Sequence, residues 1–429
     1  MYFCPNKGKR KRYMKILLKK ATIIDPKGAF HLQEVDVFIS GGTITKIGAA
    51  LEEAADVTVK KDNLHLSMGW FDSSVCFGEP GYEERETLEN GLRTAALSGF
   101  TDIALEPETQ PTIDSQSAVI QLKNYRSDHP TEMHPIAAFT KGQAGKLMTE
   151  LYDLQNNGAV AFGDFLKPIE NPELLKTALL YAQRFNALII SSPQDNRIGG
   201  NGVAHEGNSS TQLGLAGIPS LNETLQINRD LHILAYAGGK LHIPFVSTAE
   251  GVELIRAAKK KGLKVSCSVA LANLCYTDDA LFGFETRFKL SPPLRTEKDR
   301  EALKEGLLDG TIDMISSHHQ PLNKELKHVE FEHATSGTVG LEAAFGVLNT
   351  FFPTQKVIQF LTKGRTTFGL SSTKIEEGQV ANLSLFTPNG AGKFTKEDLL
   401  SSTQNCAFLG HSTQGKVYGS ISGNKIALK

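Results

Sequence analysis

The chain has 429 residues, and its 46 Lys and Arg nearly balance its 47 Asp and Glu, which gives a formal net charge of -1. This length allows one large domain with a smaller one beside it. The balanced charge excludes the global field that draws a protein to nucleic acid or to an anionic membrane. The five Cys show no paired spacing. No apolar run approaches the roughly 20 residues of a membrane helix. We therefore expect a cytoplasmic protein without nucleic-acid or membrane partners.

The N-terminal segment begins with a basic cluster, MYFCPNKGKRKRYM, that no apolar run of signal-peptide length follows. We interpret residues 1–13 as a disordered tail or an over-long gene start. Two strand-like runs come next, Ile16 to Ile24 and Val35 to Ile47, and Gly41-Gly42 interrupts the second in the manner of a hairpin turn. Residues 14–68 are therefore predicted to form a small β unit.

The central segment, from about Gly69, repeats the order strand, loop, helix. Glu83 to Leu97 is predicted to be a helix before a strand, as is Pro172 to Phe185, and Gly251 to Lys261 carries its apolar residues on one helical face. Such alternation indicates a parallel sheet. At about 300 residues, a closed (β/α)₈ barrel over 69–377 is favoured above an open sheet.

The C-terminal segment, residues 378–429, returns to short strands, with VANLSLF and then GKVYGSISGNKIAL. Two β-rich ends of like character on either side of a barrel can pair into one domain, since chain termini often lie close together. The fold class is thus predicted to be α/β, with a barrel and a small composite β-sandwich domain from both termini.

Several long motifs carry information that periodicity alone does not. Phe77 to Tyr82 reads FGEPGY, Ser291 to Leu303 reads SPPLRTEKDREAL, Gly310 to Ser316 reads GTIDMIS, and Val339 to Phe345 reads VGLEAAF. In this order they resemble the dihydroorotases of the cyclic-amidohydrolase superfamily. The resemblance implies a TIM-like barrel of the metal-dependent-hydrolase type. It also implies the reversible cyclisation of N-carbamoyl-aspartate to dihydroorotate in de novo pyrimidine synthesis, with zinc as the metal.

The positions that hold metal in this family carry other residues here. The first barrel strand of a dihydroorotase ends in His-x-His, a spacing that places both imidazoles on one face of the strand. The family's general base, an Asp that also binds metal, corresponds to His318. Of the six metal positions, only Asp164 keeps a side chain of the type that the family uses as a ligand. The six positions are Ser74, Cys76, Asp164, Ser192, Phe245 and His318.

The substrate-binding positions have changed as well. Gly78 stands where the family has the Arg that pairs with the substrate carboxylate, and Glu108 and Ser291 replace two Asn. A general base contributes about 10² to 10⁴ in rate, and zinc lowers the pKa of its bound water from about 15.7 to about 7. Losing base, metal and Arg together leaves no recognisable mechanism, so we assign no catalytic residue and expect no metal or other cofactor.

Each remaining polar candidate also has a structural interpretation. Of the neighbours His318 and His319, one must point away from the barrel interior, and a structural role is favoured. Cys76 is more typical of a small buried apolar residue than of a thiolate ligand. Asp164 is as compatible with helix capping or a loop contact as with a remnant ligand.

Three functions from different classes follow from these observations. The first is a non-catalytic structural or regulatory partner of aspartate carbamoyltransferase, the enzyme one step earlier in the pathway. The second is an active dihydroorotase whose metal site has been rebuilt from Cys76, Asp164, His318 and His319. The third is a small-molecule binding module that keeps the barrel mouth as a pocket. We rank the first highest and expect a homo-oligomer.

Overall fold

The computed structural model describes residues 14–429, so the interpretation of residues 1–13 lies outside the described residues. A barrel occupies the centre of the chain, and the two ends of the chain form a second, all-β part. Within 14–429, no helix combines the length and apolar character needed to cross a membrane.

Eight strands form the barrel in chain order, each parallel to its neighbour. The sheet closes where Val75 bridges His319 and where the Cys76 N–H donates to the His319 carbonyl at 2.9 Å. The predicted (β/α)₈ barrel is therefore confirmed. From the first to the eighth, the barrel strands are Trp70–Val75, Phe100–Leu105, Glu132–Ala137, Ala161–Phe162, Leu188–Ile190, Lys240–Ile243, Val265–Ala270 and Met314–Ser316.

The helices pack around this barrel, and local capping sets where they begin. The helix predicted from Glu83 begins only at Leu88, because Thr87 is extended and its side chain accepts the Asn90 N–H. A reciprocal pair of Thr296 and Asp299 caps another helix. The α-helices are Leu88–Leu97, Gln116–Lys123, Leu151–Asn156, Pro172–Ala182, Asn196–Gly199, Asn208–Leu213, Leu221–Ala237, Ala249–Lys260, Leu271–Cys275, Glu297–Leu308, Lys324–Lys327, Ala344–Phe351, Thr354–Thr362 and Gly364–Thr367.

The two ends of the chain pair into one eight-stranded sheet, the composite β domain. They join where Met68 lies opposite Leu383 in an antiparallel pair. One face of the sheet encloses an apolar core of its own, built from residues of both ends. Its strands are Lys15–Ile24, Glu34–Ser40, Thr43–Gly48, Val57–Val59, His65–Met68, Asn382–Lys393, Ser412–Ser422 and Lys425–Leu428; a separate parallel pair, Ala204–His205 and Gly217–Ile218, lies outside both sheets.

A buried polar cluster lies where the second and third barrel strands begin, and we call it the floor cluster: Asp102, His134 and Arg365. His134 Nε2 lies 2.8 Å from Asp102 Oδ1, and Arg365 donates to Asp102 Oδ2 at 2.5 Å. Thr101 Oγ1 donates to the same Oδ2 at 2.7 Å. Burial raises the pKa of Asp102, but His134 and Arg365 outweigh it and hold that pKa below its usual value.

Candidate functional site at the barrel mouth

The positions aligned with the family's metal ligands gather at one end of the barrel, in or just after the strand ends. Ser74 lies in the first strand, while the other five follow the ends of the first, fourth, fifth, sixth and eighth strands. This is the face where barrel enzymes place their chemistry. All six side chains are buried.

Aromatic rings fill the centre of this mouth. The ring of Phe245 stacks on His318 with centroids 3.9 Å apart and planes inclined by 18°. Phe165 meets His318 edge-on at 6.0 Å. We call Phe165, Phe245 and His318 the aromatic plug; Cys76 and Ala270 pack with its two Phe rings.

Little space is left beside the plug. The cavity between Ser192, Phe245 and Arg295 has a volume of about 10 Å³. That is roughly what one water molecule needs, and a small-molecule ligand pocket is typically about 300–1,000 Å³. The cavity beside the plug is therefore too small for a substrate.

The backbone of the plug is unusual at each of its three residues. Phe165, Phe245 and His318 have φ of 56°, 54° and 50°, directly after the fourth, sixth and eighth strands. Bulky side chains rarely adopt this left-handed region, which costs on the order of 1 kcal/mol or more per residue. Packing at the mouth must compensate for this strain.

His318 is poorly suited to proton transfer. Its ring is buried, its Nε2 has no hydrogen-bond partner within the described chain, and its backbone N–H donates to Ser316 Oγ at 3.0 Å. Burial lowers the pKa of His318 to about 3, so the ring is neutral at pH 7 and a weak base.

The set proposed for a rebuilt metal site is not brought together. Asp164 turns to Thr140, accepting its backbone N–H at 3.0 Å and its hydroxyl at 2.5 Å. Burial raises the pKa of the Cys76 thiol well above its usual value, which disfavours the thiolate that metals bind. His319 Nδ1 accepts the N–H groups of Gly340 and Leu341 at 3.2 and 3.4 Å, which is a structural role.

Within residues 14–429, one group of three side chains has the geometry to hold a metal ion, and it lies away from the mouth. Asp102, Glu132 and His134 offer ligand atoms within 4.8 Å of one another. However, the guanidinium of Arg365 already occupies one carboxylate oxygen of Asp102. This arrangement stabilises the floor cluster rather than offering an open site for a cation.

The positions aligned with substrate-binding residues are also closed. Gly78 has a φ of 106°, and a Cβ built there would lie 2.8 Å from the carbonyl oxygen of Tyr82, so an Arg at this position would be strained. Ser291 Oγ accepts from the Gln194 amide at 3.4 Å. Glu108 is half-buried and offers its carbonyl to Cys76 Sγ at 3.9 Å.

The sequence reasoning missed a buried acid in the barrel, Glu106. The pKa of Glu106 is raised to about 8, mainly by burial and in part by the nearby carboxylates of Glu108 and Asp72, while a hydrogen bond with Ser74 opposes the shift. The signal was present in the sequence, because Glu106 precedes Glu108 by two residues and alternate strand residues share a face. The sequence does not show that this face is buried, so Glu106 could not be distinguished from an exposed acid.

A second missed element is the network that supports the loop carrying Phe245. Glu223 accepts the backbone N–H groups of Ser247 and Thr248 at 3.0 and 2.9 Å, and Arg295 of the PPLRT motif lies 3.8 Å from its carboxylate. Arg295 also donates to the Ser247 hydroxyl at 3.1 Å. The motif thus positions this loop, and its Arg295 also lines the small cavity beside Phe245.

Sequence comparisons agree with the motifs. Residues 65–251 match the family model described as dihydro-orotase-like. A dihydroorotase from Pelotomaculum thermopropionicum is 35% identical over 423 residues, covering 97% of this chain and 99% of that protein. A dihydroorotase from Caldicellulosiruptor saccharolyticus is 36% identical over 426 residues, covering 96% and 98%.

Structural comparisons support the same fold. The L-hydantoinase (dihydropyrimidinase) of Arthrobacter aurescens superposes with a TM-score of 0.80 at 20% identity, covering 97% of this chain and 98% of that one. The dihydropyrimidinase of Brevibacillus agri gives a TM-score of 0.81 at 19% identity, covering 97% and 95%. At such identities the likeness concerns the architecture, a barrel with a composite β domain.

Proposed function

Because this chain belongs to the dihydroorotase family, we propose that it acts in pyrimidine biosynthesis as a non-catalytic structural or regulatory partner of aspartate carbamoyltransferase. The observation that carries the loss of catalysis is the aromatic plug. The stacked rings of Phe245 and His318 occupy the centre of the mouth and leave a cavity of about 10 Å³ beside them.

The side chains at the mouth do not fit a zinc centre. They comprise two Ser hydroxyls, a thiol whose pKa burial raises, a carboxylate bonded to Thr140, a phenyl ring and a neutral imidazole. Zinc sites in proteins are built from thiolate, imidazole and carboxylate ligands in a tetrahedral arrangement. We therefore derive no reaction step through a metal in this chain.

The partner role is supported by what the chain has kept. Glu223 and Arg295 still fix the loop after the sixth strand, and the floor cluster is fully paired. Most random substitutions destabilise, so a fold without a task would be expected to lose such networks along with the site. A retained fold without a usable site favours a function carried by the surface.

One preparation of the purified chain tests the loss of catalysis. We expect substoichiometric zinc by elemental analysis and no conversion of dihydroorotate, for the wild type and for Phe245→His alike. Phe245→His restores only one of the six positions aligned with metal ligands. It is therefore a matched control, because a metal site would require changes at the other positions as well. Stoichiometric zinc together with turnover in the wild type would overturn the non-catalytic assignment.

The partner role needs a separate experiment in the native cells. We expect tagged chain to retain aspartate carbamoyltransferase through gentle purification, since a stable obligate interface buries more than about 2,000 Å². Deleting the gene should alter the assembly state of the carbamoyltransferase. If the chain purifies alone and the carbamoyltransferase assembles normally without it, this part of the proposal is wrong.

A further inference from the structure

A large groove lies between the composite β domain and the helix Thr354–Thr362. Ile24 and Met68 contribute to it from the sheet, and Ile358 and Pro353 from the helical side. Its volume is about 1280 Å³. None of the residues that form the aromatic plug lines it, so the groove is a feature separate from the barrel mouth.

Four lysines give this groove a positive charge: Lys27, Lys356, Lys363 and Lys374. Lys363 pairs with Asp313 and Lys374 with Glu376. Within residues 14–429, neither Lys27 nor Lys356 forms an ion pair. The chain as a whole is nearly neutral, so this concentration of lysines is local.

The one carboxylate that lines the groove does not offset the lysines. Asp25 accepts the backbone N–H of Ile375 at 2.9 Å through Oδ2 and that of Lys27 at 3.1 Å through Oδ1. Both of its oxygens therefore already have donors from the chain. An incoming negative group would face lysine ammonium groups above an apolar surface.

The dimensions decide which kind of ligand fits. Small-molecule pockets are about 300–1,000 Å³ and enclose most of their ligand, whereas this groove is larger. Extended peptides bind along grooves by placing alternate side chains into them. We propose that the groove is a docking site for an acidic segment of a partner protein, with its carboxylates at Lys27 and Lys356. Its apolar side chains would pack on Pro26, Met68 and Pro353, which line the groove and are accessible.

The test uses the full chain and a fluorescent peptide of alternating Glu and Leu as the probe, measured by anisotropy. We expect saturable binding that weakens with added salt. The double variant Lys27→Glu/Lys356→Glu should weaken binding about tenfold or more, since complementary charge is replaced by like charge. Lys141→Glu/Lys146→Glu makes the same change in net charge at exposed lysines outside the groove and should leave binding unchanged.

Three results would overturn the proposal. Equal weakening by both double variants would mean that the peptide responds only to net charge. Equal affinity for a peptide of alternating Lys and Leu would exclude an acidic partner. Self-association of the wild type that Lys27→Glu/Lys356→Glu abolishes would assign the groove to a second copy of this chain. Because the peptide assay involves neither zinc nor the carbamoyltransferase, its failure is distinguishable from failure of the proposed function.

Discussion

The barrel floor and the barrel mouth are both buried, yet they differ in whether their polar groups have hydrogen-bond partners. At the floor, the Asp102 carboxylate has donors on both oxygens from Arg365, His134 and Thr101. At the mouth, the buried His318 Nε2 has no hydrogen-bond partner within the described chain. An unsatisfied buried polar group costs about 1–3 kcal/mol.

On the proposed loss of catalysis, this difference separates the part of the barrel that stabilises the fold from the part whose family counterpart carries the chemistry. Removing one member of the floor would leave a buried charge without compensation, so each member constrains the others. At the mouth, the rings of Phe245 and His318 stand at two of the positions aligned with the family's metal ligands. We expect substitutions to destabilise at the floor and to be neutral or stabilising at the mouth.

Arg365→Met at the floor should have the largest effect. It leaves the Asp102 carboxylate buried beside a neutral side chain, and breaking a buried pair in this way costs about 3–5 kcal/mol. Chemical denaturation measures the loss. Lys363→Met, two residues away, removes a more exposed ion pair with Asp313 and should cost less than about 1 kcal/mol. Similar losses of unfolding free energy in the two variants would show that the buried floor cluster is no more important for stability than an exposed ion pair.

Glu106→Gln in the barrel should stabilise the protein, and the gain should grow with pH. The pKa of Glu106 in the fold is about 8, above its ordinary 4.5, so the native state holds a proton that the unfolded chain releases. The free energy of unfolding of the wild type therefore falls as pH rises from 4.5 to 8, and the variant does not show this loss. At about 1.4 kcal/mol per pKa unit, we expect a gain of up to about 4 kcal/mol at pH 8 and little at pH 4. A gain independent of pH would show that Glu106 does not titrate in this range.

His318→Leu in the plug should have the smallest effect at pH 7, less than about 1 kcal/mol, because it replaces an unpartnered imidazole by an apolar side chain of similar size. The variant should diverge from wild type in acid. The folded pKa of His318 is about 3, below its ordinary 6.5, so wild-type stability is lost as pH falls from 6.5 towards 3. Parallel acid-unfolding curves for the two proteins would indicate that His318 becomes protonated in the fold.

Much of the architecture could be predicted from the sequence, because hydrophobic periodicity and turn residues are local signals. The hairpin at Gly41-Gly42 lies where expected. The start of the helix at Leu88 was missed, since the preceding residues are polar enough to continue a helical pattern and only the extended Thr87 ends it. Local signals do not report such a boundary.

The site was less predictable because its properties arise between strands. Replacement of the metal positions could be read residue by residue, but the stacking of Phe245 on His318 joins the sixth and eighth strands. The raised pKa of Glu106 depends on burial by elements distant in the chain. The groove lysines likewise come from both ends of the sequence and meet only in the fold.

The left-handed backbone at Phe165, Phe245 and His318 has a consequence for evolutionary history. Substitutions in contact are not additive, so a single return to a coordinating residue would place it among packed aromatic rings. Intermediates on the way back would bear the cost of a polar group in an apolar plug and gain no ligand set. On the proposed loss of catalysis, no single substitution at the mouth gives selection an active intermediate, so a metal site would return only through several coupled changes.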